Sequence, residues 1–296
     1  MASADLQKLR AEIDAIDEQL QDLILRRAAV VDDVARVKAA DGGDAQALAL
    51  RPGREAVVMR RLLARHRGKF PRQALFRMWR EMIGALTRAQ APFSVAVYMP
   101  PDRPGYWDMA RDHYGTRVPV RPHESTAQVL AELDADANVI AILPLPVEGA
   151  ADRWWLKLAS QEKNTPNVVA RLPFIDMGNS RTQGLDALVL ARLLPEPSGA
   201  DAEGADRALL VIQSDQDLSR GRIGDCLLQA GLKAPTSIIR DAGAGSGKGG
   251  AAYLVEVPGF VFDGDARLGK LQEALPGARL TPIGCYAVPM ARDGVV

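Results

Sequence analysis

The sequence is poor in the residues that most often announce a reaction. It holds only three histidines and two cysteines in 296 residues. Two thiols cannot build a disulfide framework, and the bland surroundings of Cys226 and Cys285 fit buried free thiols in a reducing compartment. His66, His113 and His123 lack the spacing of metal ligands, so no metal centre is expected. Basic and acidic residues balance at 37 each, for a formal net charge of zero. Without a global field, neither nucleic acid nor an anionic membrane is favoured as a partner. No apolar run approaches the roughly 18 residues needed to span a bilayer, and Met1 leads straight into a polar, helical pattern rather than a signal peptide. These absences predict a soluble, cytoplasmic protein. The glycines of 243–250 do not make a phosphate loop, because Ala242 stands where the first glycine belongs and Gly249 where Ser or Thr should follow. Trp154-Trp155 reads as packing rather than as a platform for bases.

What is present is a stripe with one residue out of place. Leu6, Leu9, Ile13, Ile16, Leu20, Leu23, Arg27, Val30, Val34 and Val37 follow an unbroken 3-4 spacing, and every position but Arg27 is apolar. The spacing predicts one long helix with a coiled-coil-like seam, from about Asp5 to Lys38, capped by Ser3 or Asp5 and stopped near Asp41-Gly42-Gly43. At ~1.5 Å per residue it is roughly 50 Å long, more than a small core can cover. A second helix is predicted from Pro52 to His66, and a third after Pro71 carrying Leu75, Met78, Trp79, Met82, Ile83 and Leu86. Three helices of unequal length imply a partner chain that completes the bundle.

Beyond Pro92 the texture changes. Phe93–Tyr98 and Ala137–Leu143 read as buried strands around a helix near Ser125–Leu133, with a further strand at 167–174, suggesting a small α/β unit with a parallel sheet. The stretch 197–206 reads as a linker. From 207 to 296 the order is strand, helix, strand, strand, helix, strand, a ferredoxin-like arrangement, with 243–250 as its mobile hairpin connection.

A guanidinium on the packed side of a helix must meet an anion or cost several kcal/mol. Lys38 lies about 20° around the helix from Arg27 and roughly 16 Å along it, so the two cations can converge on one ligand over Val31, Val34 and Ala35. Arg10 is roughly 25 Å from Arg27. It can serve only the pocket of a second copy. Arg54-Glu55 near the start of the second helix and the amide of Gln90 complete the polar set. Asp17 or Glu18 could instead be interface partners of Arg27. The ligand suggested is a small polyanion, most simply a dicarboxylate.

Leu9-Arg10, Ile13-Asp14-Ala15-Ile16-Asp17, Arg27, Val37-Lys38, Arg54-Glu55 and Gln90 together resemble the all-helical chorismate mutases over about the first ninety residues. The resemblance implies an intertwined homodimer converting chorismate to prephenate without cofactor or metal. It assigns Arg27 and the partner copy's Arg10 to the two carboxylates, Lys38 and Gln90 to the ether oxygen, and Glu55 to the ring hydroxyl, with Arg54 shaping the wall. The sequence departs from that family at Arg51, where an acidic residue is usual, and at Leu86, where a hydroxyl residue is frequent.

The remainder resembles the prephenate dehydratase region and C-terminal ACT domain of bifunctional mutase–dehydratases. Arg220–Leu228, Tyr253–Gly259 and Ile283–Tyr286 carry the ACT likeness. The dehydratase motifs are eroded: Met99–Gly105 replaces a Gly-Pro-x-Gly-Thr turn, Pro144–Glu148 lacks the Asn-Ser of its motif, and Asp206-Arg207-Ala208 lacks the threonine of Thr-Arg-Phe. Ile238-Ile239-Arg240-Asp241 replaces Glu-Ser-Arg-Pro. The fold expected is therefore multidomain: an all-α three-helix mutase (1–91), a shortened α/β dehydratase-like remnant (92–196) and a ferredoxin-like α+β ACT-like domain (207–296). The expected function is chorismate mutase with dehydratase activity lost. The alternatives are a bifunctional mutase–dehydratase and a non-catalytic regulatory dimer.

Overall fold

The computed structural model describes residues 2–40, 48–160, 164–199, 205–242, 244 and 250–290. The predicted glycine stop at 41–43, most of the 243–250 connection and the middle of the 197–206 linker lie outside the described residues, as do the side chains of Ser3 and Lys38. The chain divides into two compact units, residues 1–49 with 86–92 and residues 50–85 with 93–296.

The first unit is built on α1, Ala2–Ala40, with Asp5 in its first turn where a carboxylate complements the helix dipole. Every residue of α1 from 4 to 26 is exposed. Leu6, Leu9, Ile13, Ile16, Leu20, Leu23, Val30, Val34 and Val37 are 46–61% exposed, whereas Arg27, Ala28, Val31 and Ala35 are half-buried. The last turn of α3 (Arg72–Gln90) closes with the Ala91 amide donating to the Thr87 carbonyl.

In the second unit α2 (Pro52–Arg65) begins with proline, preset for a first turn. Its Gly53, Ala56, Met59 and Leu63 are buried, and Ala56, Met59 and Leu63 join Phe76 and Ile83 of α3 with Phe174 and Ala287 in one apolar cluster. The buried stripe of α3 is Phe76, Arg80, Ile83, Gly84 and Thr87. Met78, one of the apolar residues of the predicted third helix, is 53% exposed. At Gly84 a Cβ would lie 2.1 Å from the Tyr114 carbonyl oxygen, so only a bare backbone fits this close approach.

The α/β part comprises β1 (Ser94–Tyr98), α4 (Gly105–Tyr114), β2 (Val120–His123), α5 (Thr126–Ala135), β3 (Val139–Pro144), β4 (Asn167–Leu172) and β5 (Ala187–Ala191). Ser125 and Gln128 form a reciprocal capping box at α5. Strands β1, β2 and β3 are parallel, but β3–β5 and β4–β5 are antiparallel. The sheet is thus mixed rather than parallel. Between β4 and β5 runs only a single-turn 3-10 helix at Ser180–Thr182, too little for a parallel crossover. Helix α4 and strands β2 and β5 were not predicted. In β2 the mixed Val-Arg-Pro-His sequence hides the strand, and Gly105 obscures the start of α4. Trp154 and Trp155 are buried in the core of this part, as packing residues.

The last part is β6 (Asp206–Ser214), α6 (Arg220–Gln229), β7 (Ser237–Ala242), β8 (Ala251–Pro258), α7 (Ala266–Ala274) and β9 (Arg279–Ala287), the ferredoxin-like order expected. Ser219 and Asp265 cap its two helices. Cys226 and Cys285 are buried and free. All strands of the unit join in one nine-stranded sheet, β2-β1-β3-β5-β4-β9-β6-β8-β7. The junction is β4 against β9, parallel, at Val168 opposite Gly284. Gly284 has φ of 143°, and a Cβ there would meet the Val168 carbonyl oxygen at 2.2 Å. Arg171 of β4 adds polar links across the junction to Tyr286 of β9 and Glu256 of β8.

Candidate active site

The six candidate residues fall into two groups, one in each unit. In the first, α1 is continuous through Arg10, Arg27 and Lys38, so their angular relation along the helix holds. Arg10 is exposed. Arg27 is half-buried; its Nη1 is buried and has no hydrogen-bond partner among the described residues. Burial lowers the pKa of its guanidinium from the ordinary arginine value. Neither Asp17 nor Glu18 satisfies it. Of the predicted floor, Val31 and Ala35 are half-buried and Val34 is exposed. The Nε2 of Gln90 donates to the Leu86 carbonyl at 3.3 Å, a weak bond that a ligand acceptor can replace.

In the second group Arg54 is exposed and Glu55 is half-buried. The N-terminus of α2 has no side-chain cap of its own. Glu196, in the segment after β5, fills that role from 142 residues away: one carboxylate oxygen accepts from the Arg54 amide at 3.1 Å, and the other from Arg51 Nε at 2.6 Å. Arg51, the departure noted in the sequence, is thus bound to an acid supplied by the α/β part. Glu55 pairs with Arg80 at 2.7 Å, with the two side chains 12% and 3% exposed. Arg60, one helical turn beyond, donates to the carbonyls of Ala205 and Val288 and to Ser198. A cavity of about 20 Å³ is lined by Glu55, Arg80, His113 and Arg171 among others. Burial, with Arg80 as the lesser cause, holds the His113 imidazole well below the ordinary histidine pKa.

Sequence reasoning missed Arg80 and Glu196. Arg80 carried a readable signal, since Phe76, Arg80, Ile83, Gly84 and Thr87 form a helical stripe with one charge in it, as α1 does. Glu196 carried none, because nothing local ties it to α2. Among the described residues no cluster of three or more His, Cys, Asp and Glu side chains is placed to hold a metal ion, and no helix is long and apolar enough to cross a membrane.

A buried guanidinium nitrogen without a hydrogen-bond partner among the described residues is where an anion would be accommodated. Residues 9–91 match the family Chorismate mutase type II, so the N-terminal segment of the chain is a chorismate mutase domain of that type. Over 156 residues the chain is 33% identical to the bifunctional chorismate mutase/prephenate dehydratases of Stutzerimonas stutzeri and Pseudomonas aeruginosa. Each match covers 51% of this chain and 42% of the relative, so the chain spans less than half the length of the curated relatives it matches. Among solved structures, the prephenate dehydratase from Streptococcus mutans is similar at a TM-score of 0.46 and 16% identity, over 67% of this chain and 98% of that one. A likeness of that depth carries no functional inference.

Proposed function

We propose that the chain is a chorismate mutase, acting as a homodimer on chorismate in the aromatic amino-acid branch of a cytoplasmic metabolism. The observation that carries the reading is Arg27, a cation on a helix wall whose buried Nη1 has no partner among the described residues. A dicarboxylate supplies what it lacks. The rearrangement is intramolecular: the ether C–O bond breaks as a C–C bond forms, and no atom leaves or enters. No nucleophile or titrating base is needed, so a site without histidine or cysteine suffices. Its tasks are to hold the extended substrate in a near-attack conformer and to stabilise charge building on the ether oxygen.

In this reading Arg27 and the partner copy's Arg10 clamp the two carboxylates, Lys38 and Gln90 donate to the ether oxygen, Glu55 accepts from the ring hydroxyl and Arg54 shapes the wall. The second copy covers the apolar stripe of α1. Fully burying one such aliphatic side chain is worth about 1.5–3 kcal/mol, and nine of them stand 46–61% exposed in a single chain. That is ample to drive association.

Dehydratase activity is absent in the same reading. The residues in place of its catalytic triplet lie inside β6, where Ala208 is fully buried and the Asp206 carboxylate accepts from the amide and hydroxyl of Ser198. The ferredoxin-like part is an ACT-like domain without phenylalanine binding. Its Arg240 is committed to Asp217 through two hydrogen bonds, of 2.8 and 2.6 Å, and Tyr253 donates to the same carboxylate.

The test is loss of chorismate absorbance on adding the purified protein, with phenylpyruvate assayed alongside. Prephenate should accumulate and phenylpyruvate should not. An inert wild-type protein would leave the regulatory dimer as the better reading. Full rate in Lys38→Ala would remove the ether-oxygen assignment.

A further inference from the structure

The second arginine in an apolar stripe has no role in the reading above. Arg80 is 2% exposed, on the face of α3 that carries Phe76, Ile83 and Gly84. Its Nη1 donates to Glu55 Oε2 at 2.7 Å and its Nε to the His113 carbonyl at the end of α4. Two fixed acceptors on different elements lock a planar guanidinium in one orientation. The carboxylate across from it is locked in turn: Oε2 is committed to Arg80, and among the described residues Oε1 is the oxygen left to accept from a ligand. A lone glutamate at the start of a helix would instead sample several rotamers in water, at a cost in side-chain entropy when a ligand recruits it.

We propose that Arg80 is a positioning residue for the mutase reaction, which holds Glu55 with one oxygen presented to the substrate hydroxyl and takes its own bearing from the α/β part through the His113 carbonyl. The proposal rests on the assignment of Glu55 to that hydroxyl. It also gives the α/β part a function that survives the loss of dehydratase chemistry, because the acceptor that orients Arg80 belongs to α4. Glu196, holding the first turn of α2 from the other end, acts in the same direction.

Steady-state kinetics of the full chain test this with Arg80→Lys, Glu55→Ala and the double variant. Lysine keeps the charge and loses the fork, so Arg80→Lys should lower kcat/KM about ten- to hundredfold, the worth of one hydrogen bond to a charged group. Both single variants should divide the loss between KM and kcat in the same proportion, and Arg80→Lys should cost nothing further in the Glu55→Ala background. Independent, multiplying losses would overturn the proposal, as would a wild-type rate for Arg80→Lys. Glu55→Ala at wild-type rate would instead overturn the assignment of Glu55 beneath it. Should Arg80→Lys fail to fold, the neutral pair Glu55→Gln with Arg80→Gln replaces it, and must match Glu55→Gln alone in kcat/KM for the proposal to stand.

Discussion

Replacing Arg27 by methionine should move stability and activity in opposite directions. Methionine keeps most of the side-chain length and leaves α1 free of strain, but removes a guanidinium whose Nη1 is buried without a partner among the described residues. An unsatisfied buried donor costs about 1–3 kcal/mol, more for a charged group. Arg27 is only half-buried, and solvent screening brings the expected gain on substitution down to about 1 kcal/mol. The substrate side is larger. If Arg27 grips a carboxylate through two charge-assisted hydrogen bonds, each worth about 1.5–3 kcal/mol, their loss amounts to about 3–6 kcal/mol. At 1.36 kcal/mol per decade, that is a fall of about 10²- to 10⁴-fold in kcat/KM. Urea denaturation of wild type and Arg27→Met, with m unchanged, gives the first number, and initial rates of chorismate loss give the second. A variant both less stable and less active would mean that Arg27 is a structural ion-pair residue. A variant of undiminished rate would remove it from the site altogether.

Leu20, 49% exposed on the apolar stripe of α1, should tolerate glutamate within one chain but not at an interface between two; Leu20→Glu should convert a dimer to monomers in sedimentation velocity and abolish turnover, whereas a monomeric, active wild type would refute the shared site. Gly284→Val should cost about 2–5 kcal/mol in thermal unfolding, since valine must adopt a positive φ and push the Val168 backbone away; a melting temperature unchanged from wild type would show that the β4–β9 junction adds nothing to stability. His113 has its pKa held well below the ordinary histidine value, chiefly by burial. The unfolded chain then binds the extra proton first, so stability falls as the pH drops below about 6.5 towards the folded pKa, by up to about 1.4 kcal/mol per pH unit. A His113→Phe variant should lose that slope, and retention of the slope would assign it to other groups.

Much of this was legible because it is periodic. A heptad-like stripe read directly as the long helix α1, and alternating apolar runs gave β1, β3 and the ferredoxin-like order of 207–296. Close approach was not legible. The buried stripe of α3 includes Gly84, set against the Tyr114 carbonyl, a contact that the spacing of apolar residues does not announce. The mixed sheet follows from what fills the space between β4 and β5, where only a single 3-10 turn forms.

Arg10, Arg27 and Lys38 were read from their intervals along one helix, a local property of the chain, whereas Arg54, Glu55 and Gln90 joined them as a site through the family resemblance. What holds the residues of α2 was not readable in this way. Glu196 reaches the first turn of α2 across 142 residues, and Arg80 takes its orientation from the His113 carbonyl of a helix that the sequence did not announce. Such contacts are set by how distant elements meet, and neither composition nor period encodes that meeting. The sequence by itself set one charge in the apolar stripe of α1. The tertiary structure decided that its buried Nη1 finds no partner among the described residues, and that Glu55 is held by Arg80, because both depend on which distant groups come within reach.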